Sequence, residues 1–269
     1  MAIIALHSAA TGLSALNTAL DVVSNNLANI NTPAFKGSRA NFQDLLYVQR
    51  SQPGVENGVG DQAPIGLYVG LGTRVSGTQL NFAPGTALPT GQETDVTIDG
   101  SGFFRVVVEQ SLGGGFAYTR AGQLALNADG ELVIASDQGR RLDPPVTIPA
   151  DAIPPISIRP NGEVYALLPG ETEPQVVANI EIAAFINPQG LRTVGENLYV
   201  ETPASGPPIQ GEPGTDQRGS LLAGFLEGSN VDPTRELIEL IKVQRAFEMN
   251  SNTIRAADET LRQVGNLRR

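Results

Sequence analysis

Two runs of apolar residues, one at each end of the chain, recur at alternating spacings of three and four, and this pattern commits both ends to helix. Near the N-terminus the seam is Leu6, Ala9, Leu13, Leu16, Leu20, Val23, Leu27 and Ile30. Near the C-terminus it is Leu240, Val243, Phe247, Asn250, Ile254, Ala257, Leu261 and Val264. A period of 3.5 residues kept over about three and a half heptads is the mark of helices that pack along a coiled-coil seam.

The first helix carries one formal charge, Asp21, before Lys36. Surface helices usually have a charged outer face, so this one is expected to meet neighbours on several sides. Ala9, Ala10, Gly12, Ala15 and Ala19 would allow close approach. The second helix is expected to start at Pro233 after a cap at Asn230 or Asp232, with Glu236, Glu239, Lys242 and Arg245 outside. Asn250 interrupts its seam, and one polar residue there can set register and partner. The two helices can close as a hairpin within one chain or pair between chains. Isolated helices are marginal in water, so a seam that needs several neighbours would order only in an assembly.

Between these ends the chain reads as β structure. Thirty glycines, nineteen prolines and no tryptophan favour short strands and turns. Residues 94–99 alternate polar and apolar, then Gly100, Ser101 and Gly102 lead into Phe103–Val108, which reads as two strands around a tight bend. "LALNADGELVI" and "ISIRPNGEVYA" each place a glycine-containing turn between alternating runs, as in β-hairpins. "IEIAAFI" and "NLYVET" add two strands. The expected fold class is therefore α+β: long N- and C-terminal α-helices packing as a coiled coil, with a mainly antiparallel β central region. The expected divisions are an N-terminal helix with its following signature (1–45), an extended Gly/Pro-rich connector with room for a hairpin through "LYVGLGTRV" (46–93), a mainly β domain (94–220) and a C-terminal helix (221–269).

Charge is unevenly placed. Residues 1–50 and residues 231–269 each carry a net +1, so the middle holds −12 of a total of −10. An acidic middle argues against a nucleic-acid surface, and near-neutral ends can pack without repulsion. There is no cysteine, hence no disulfide and no thiolate metal site. Residues 2–20 contain Ser8, Thr11, Gly12, Ser14, Asn17 and Thr18, too polar for a membrane span, and no basic segment precedes an apolar run as in a secretory signal peptide. The one histidine, His7, lies in the first helix without a partner pattern for catalysis, and "GLGTR" lacks the lysine of a phosphate-binding loop. No catalytic, cofactor or metal residues are expected.

The stretch Asn25–Leu46, "NNLANINTPAFKGSRANFQDLL", resembles the N-terminal signature of the bacterial flagellar rod and hook proteins. Glu227–Leu267 resembles the closing segment of the same family, and "IDGSGFFRV", "AYTRAGQLALNADGELV" and "GENLYVET" are similar to its central portion. Overall length and the stretch from about Arg50 to Gly72 resemble the rod-forming members nearest the hook. The family commonly has glycine where this chain has Ala34, and alanine tolerates a positive backbone angle poorly, so a left-handed backbone is not expected at Ala34.

The resemblance implies a structural, non-enzymatic subunit that polymerises into the distal part of the flagellar rod. A proximal rod or hook subunit is the near alternative, and an extracellular stalk or adhesin with an intramolecular helix pair the more distant one. Implied partners are copies of the chain itself, proximal rod proteins, the hook or its junction, the periplasmic and outer-membrane rings around the shaft, and the flagellar type III export apparatus. The implied place is the rod that spans the periplasm, reached without a cleaved signal peptide. Terminal helices of many subunits would form nested inner layers, with the acidic β region outward. The implied assembly interface is the two seams together with Asn25, Asn26, Asn29 and Asn31, amides that both donate and accept at the helix end, with Pro33 stopping the helix.

Overall fold

A computed structural model describes residues 2–55, 62, 64–149, 151–171, 173–216 and 218–267. The seams become helices α1 (Ala2–Ala28) and α2 (Pro233–Leu267). Helix α2 begins where proline tolerates a helix best, in the first turn. The Asp232 carboxylate oxygen Oδ1 caps it, accepting from the Thr234 amide at 2.9 Å and from the Arg235 amide at 3.4 Å. Helix α1 ends at Ala28, short of Pro33, so Ile30 is not helical and Asn29 and Asn31 lie in the turn beyond.

The chain forms two compact units. The first joins both helices to residues 38–80 and the second contains Asn29–Gly37 and Asn81–Val231. In the first unit, strands β1 (Ser38–Asp44), β2 (Tyr47–Ser51), β3 (Leu67–Gly70) and β4 (Thr73–Leu80) make an antiparallel ribbon. β1 pairs with β4 and β2 with β3. "LYVGLGTRV" is therefore not a hairpin, because its two halves are successive segments of one arm and both pair with residues 38–51. At the bend between them Gly72 has φ +115°, and a Cβ there would stand 2.1 Å from the Thr11 hydroxyl. Only glycine lets the ribbon pass this close to α1.

The described strands of the second unit pair antiparallel. Its largest sheet has six strands, in the order Arg192–Gly195, Leu198–Val200, Phe116–Thr119, Phe103–Val107, Ile182–Ala184, Ile209–Gly211. The predicted hairpins form: Leu124–Leu126 pairs with Leu132–Ile134, and Ile153–Ile158 with Glu163–Leu167. Val96–Asp99 and Phe103–Val107 are both strands, as expected, but each finds a distant partner. The former pairs with Ser220–Ala223, the latter with Phe116–Thr119 and Ile182–Ala184. Val96, Ile98, Phe104, Val106, Leu132 and Val164 are buried in one continuous core, each worth roughly 1.5–3 kcal/mol of transfer free energy.

One expectation is overturned at Ala34, which is left-handed with φ +58° and fully buried. Its amide donates to the Glu227 carbonyl oxygen at 2.7 Å. The left-handed conformation costs an alanine about 1–2 kcal/mol. Burying the methyl returns about 0.8 kcal/mol, and glycine would lose about 0.5–1 kcal/mol more backbone entropy. The opposing terms nearly cancel, which explains how alanine stands where glycine is usual. Ala34→Gly is expected to change unfolding free energy by less than about 1 kcal/mol in urea titration. Ala34→Val, β-branched and overpacked, should cost more than about 2 kcal/mol in the same measurement.

Candidate assembly surface

Helix α2 has 35 residues and so extends about 52 Å. It packs against α1 within the chain, so the seams meet intramolecularly in the first unit. The contact covers only part of α2. Val243 and Ala257 are buried, Leu240, Asn250 and Ile254 are half-buried, and Phe247 and Leu261 are exposed at about the one-third level. Val264 lies outside the residues whose side chains are described. Leu237, Ile238, Ile241 and Met249 stand in solvent, each about half exposed or more. Four large apolar side chains on one helix, away from its intramolecular contact, form a face of the kind that marks a protein contact.

On α1 the deepest positions are small. Ala9, Ala15, Ala19 and Val23 are buried, while Leu6, Leu13, Leu16, Leu20 and Leu27 are half-buried. A groove of about 250 Å³ runs between the helices, lined by Leu16, Asn17, Leu20, Val243, Gln244, Phe247 and Glu248. Further along the pair, a Cβ on Gly12 would come within 2.5 Å of the Asn250 side-chain nitrogen. The polar residue that breaks the second seam thus sits over the one glycine of α1, and the fit defines a register. Beyond the helices, the ribbon exposes Leu46 and Ile65 at about 80%, together with Tyr47, Leu67 and Tyr68.

The four asparagines divide. Asn26 is buried and grips the backbone of Ser38 twice, donating to its carbonyl at 2.8 Å and accepting from its amide at 2.9 Å. This clamps the end of α1 to the start of β1. Asn29 accepts at Oδ1 from the Thr32 hydroxyl at 3.1 Å. Asn25 and Asn31 are exposed.

The second unit contains a buried charge cluster that periodicity did not reveal. The Glu227 carboxylate accepts from Lys36 Nζ at 2.6 Å, from Arg120 Nε at 2.8 Å and from the Gly85 amide at 2.9 Å. Lys36 also donates to the Ala83 carbonyl, and the Arg120 guanidinium to the carbonyls of Ile98, Gly100 and Gly102. All three side chains are at most 2% exposed. Burial by itself would raise the Glu227 carboxyl, but Arg120 and Lys36 hold it below the usual carboxylate range. Burial first, and repulsion from Arg120 second, lower Lys36 against the pull of Glu227. Two cations share one anion, which accounts for both directions. Lys36 and Arg120 lie within motifs quoted above, at "NTPAFKG" and "AYTRAG", and Glu227 opens the closing segment Glu227–Leu267. The available signal was a charged residue among small and apolar neighbours.

Among the described residues no helix is long and apolar enough to cross a membrane, and no group of three or more His, Asp or Glu could hold a metal ion.

Three family models match the chain: "Flagella basal body rod protein" over residues 6–36, "Flagellar hook protein FlgE/F/G D1 domain" over 97–166 and "Flagellar basal body rod FlgEFG protein C-terminal" over 222–267. The chain is 41% identical to the flagellar basal-body rod protein FlgG of Agrobacterium fabrum, across 95% of each chain. It is 39% identical to FlgG of Caulobacter vibrioides, across 98% of this chain and 99% of the relative, and 30% identical to FlgF of the same bacterium, across 94% of each.

Replacing Glu227 leaves two buried cations facing each other, so Glu227→Gln should lower stability by about 3–5 kcal/mol at neutral pH. The folded carboxyl lies below its unfolded value near 4.5. Its contribution is therefore present above that value and lost as pH falls through the lower folded one. Urea titrations of wild type and variant should begin to converge below pH 4.5 and coincide only at a pH below the lower folded value. At the helix pair, Gly12→Ala should destabilise the wild type but cost much less in an Asn250→Ala background. Simple additivity in that double-mutant cycle would show that the two positions do not interlock.

Proposed function

The chain belongs to the flagellar basal-body rod and hook family, and on that footing we propose that it is a structural, non-enzymatic subunit that polymerises into the distal rod of the bacterial flagellum and transmits torque to the hook. Higher identity to FlgG proteins than to FlgF supports the distal position over the proximal one. The observation that carries the polymer is the apolar face of α2 at Leu237, Ile238, Ile241 and Met249, left uncovered by α1. A head-to-tail contact that does not close produces an open helical filament, and burying such a face on the next subunit supplies its drive.

In this reading the helix pair of one subunit packs against those of its neighbours as coiled coils in the inner layers of a tube. Leu6, Leu13, Leu16, Leu20, Val23 and Leu27 meet Leu240, Val243, Phe247, Ile254 and Leu261 within and between subunits. The groove beside Phe247 is where a neighbour's side chain would seat. The paired strands Tyr47–Ser51 and Leu67–Gly70, with their exposed aromatic and aliphatic side chains, add contacts that stiffen the shaft. Partners are other copies of the chain, proximal rod proteins, the hook or its junction, and the surrounding rings, and the chain arrives through the flagellar type III export apparatus.

The intramolecular pairing of the helices is what a stalk with a β head would also need. Such a stalk has no use for an apolar outer face on α2, and this favours the rod.

The test is Ile238→Asp combined with Ile241→Asp. Both positions are about half exposed, so the monomer should keep its melting temperature within a few degrees. Filament formation by electron microscopy, and swimming in a strain carrying the variant, should be lost. Normal filaments from the variant would remove the α2 face from the assembly. Deleting residues 52–66 should leave filaments that bend more readily under the microscope, and unchanged stiffness would remove the ribbon from that role.

A further inference from the structure

The loop Asn29–Gly37 is held to the β unit in an unusual way. Its turn is made by a non-glycine residue in a left-handed conformation, Ala34 at φ +58°. Strain of this kind persists only where the surroundings over-determine it, and it gathers at segments that switch or clamp. Several of the holding contacts are backbone and side-chain hydrogen bonds from outside the loop. Ala34 donates its amide to the Glu227 carbonyl at 2.7 Å, and Asn230 donates its amide to the Phe35 carbonyl at 3.3 Å. Gly37 donates to the Asn230 side-chain oxygen at 2.8 Å and accepts from the Asn81 amide at 2.8 Å. At the centre Lys36 enters the protein beside Glu227, wholly buried.

We propose that Asn29–Gly37 is a latch of the β unit, closed by insertion of Lys36 beside Glu227 and able to open while the core stays folded. Apart from the Ala34 methyl, the loop buries no side chain fully except the charged one. Segments held by polar contacts with little apolar burial occupy the low-stability end of a fold. The core they dock on, from Val96 to Leu221, is apolar and continuous. Opening leaves Glu227 with Arg120 as a balanced pair, so it does not strand an unpaired buried charge.

Closure also gathers the exits of the unit. Asn230 donates from its side chain to the carbonyls of Asn81 and Ala83 while accepting from Gly37. Three of the four places where the chain crosses the edge of this unit, at Gly37, Asn81 and Val231, are thus tied around one side chain and one ion cluster. An open latch frees those paths and a closed one fixes them. The latch stands whether or not the chain polymerises. In a polymer of the kind proposed above, it would decide how firmly each subunit's β unit follows its neighbouring segments.

Hydrogen exchange followed by mass spectrometry on the full, unassembled chain tests the latch separately from assembly. In Lys36→Met, the amides of Ala34, Gly37 and Asn230 should exchange at least about tenfold faster, while those of Val106 and Leu132 stay within about twofold of wild type. Unchanged loop exchange would show that Lys36 does not hold the loop. Equal acceleration of loop and core would show that no separate unit opens. In case the variant does not fold, wild-type exchange in increasing urea gives the same decision. The loop amides should lose protection at lower urea than the core, and a single shared transition overturns the latch.

Discussion

The Glu227 carboxylate lies between two buried cations, and the path of the chain through the β unit depends on that arrangement. Taking an ion out of water costs several kcal/mol even after relaxation, so three buried ions are tolerable only if every polar atom finds a partner. Here the backbone supplies the partners: carbonyls of Ile98, Gly100 and Gly102 for Arg120, the carbonyl of Ala83 for Lys36 and the amide of Gly85 for Glu227. A buried cluster of this kind adds little net free energy even when fully paired.

The helical unit works by the opposite logic. The most buried positions of its first helix include the small residues Ala9, Ala15 and Ala19, which bury little area each, beside Val23, and on the second helix Val243 and Ala257 are buried. Larger side chains, Leu237, Ile238, Ile241 and Met249, face away from that contact. A monomer built this way holds its helices together and leaves four large apolar side chains of the second helix in solvent. That suits a subunit whose final environment is other subunits, because association then adds burial without first breaking an internal core.

The two logics meet in the asparagines at the end of the first helix. Asn26 uses both halves of its amide on one residue, Ser38, which ends the helix and starts the ribbon in a single step. Such a clamp needs a group that donates and accepts at fixed geometry, and an amide is the shortest side chain that does so. Asn25 and Asn31 lie on the surface.

Sequence alone determined the two helices, the start of the second at Pro233, the turns at "NADGE" and "RPNGE" and the resemblance to the rod family. These depend on periodicity, caps and turn chemistry, all of which act over a few residues. It did not determine which strands pair: Val96–Asp99 joins Ser220–Ala223 rather than its neighbour, and the two halves of "LYVGLGTRV" pair with residues 38–51 instead of each other. Nor did it bring Lys36 to Glu227 across 191 residues, or allow a left-handed Ala34. Tertiary structure decided these, because a buried charge and a strained backbone are stable only when distant segments complete their hydrogen bonds, and no local pattern records where those segments will come from.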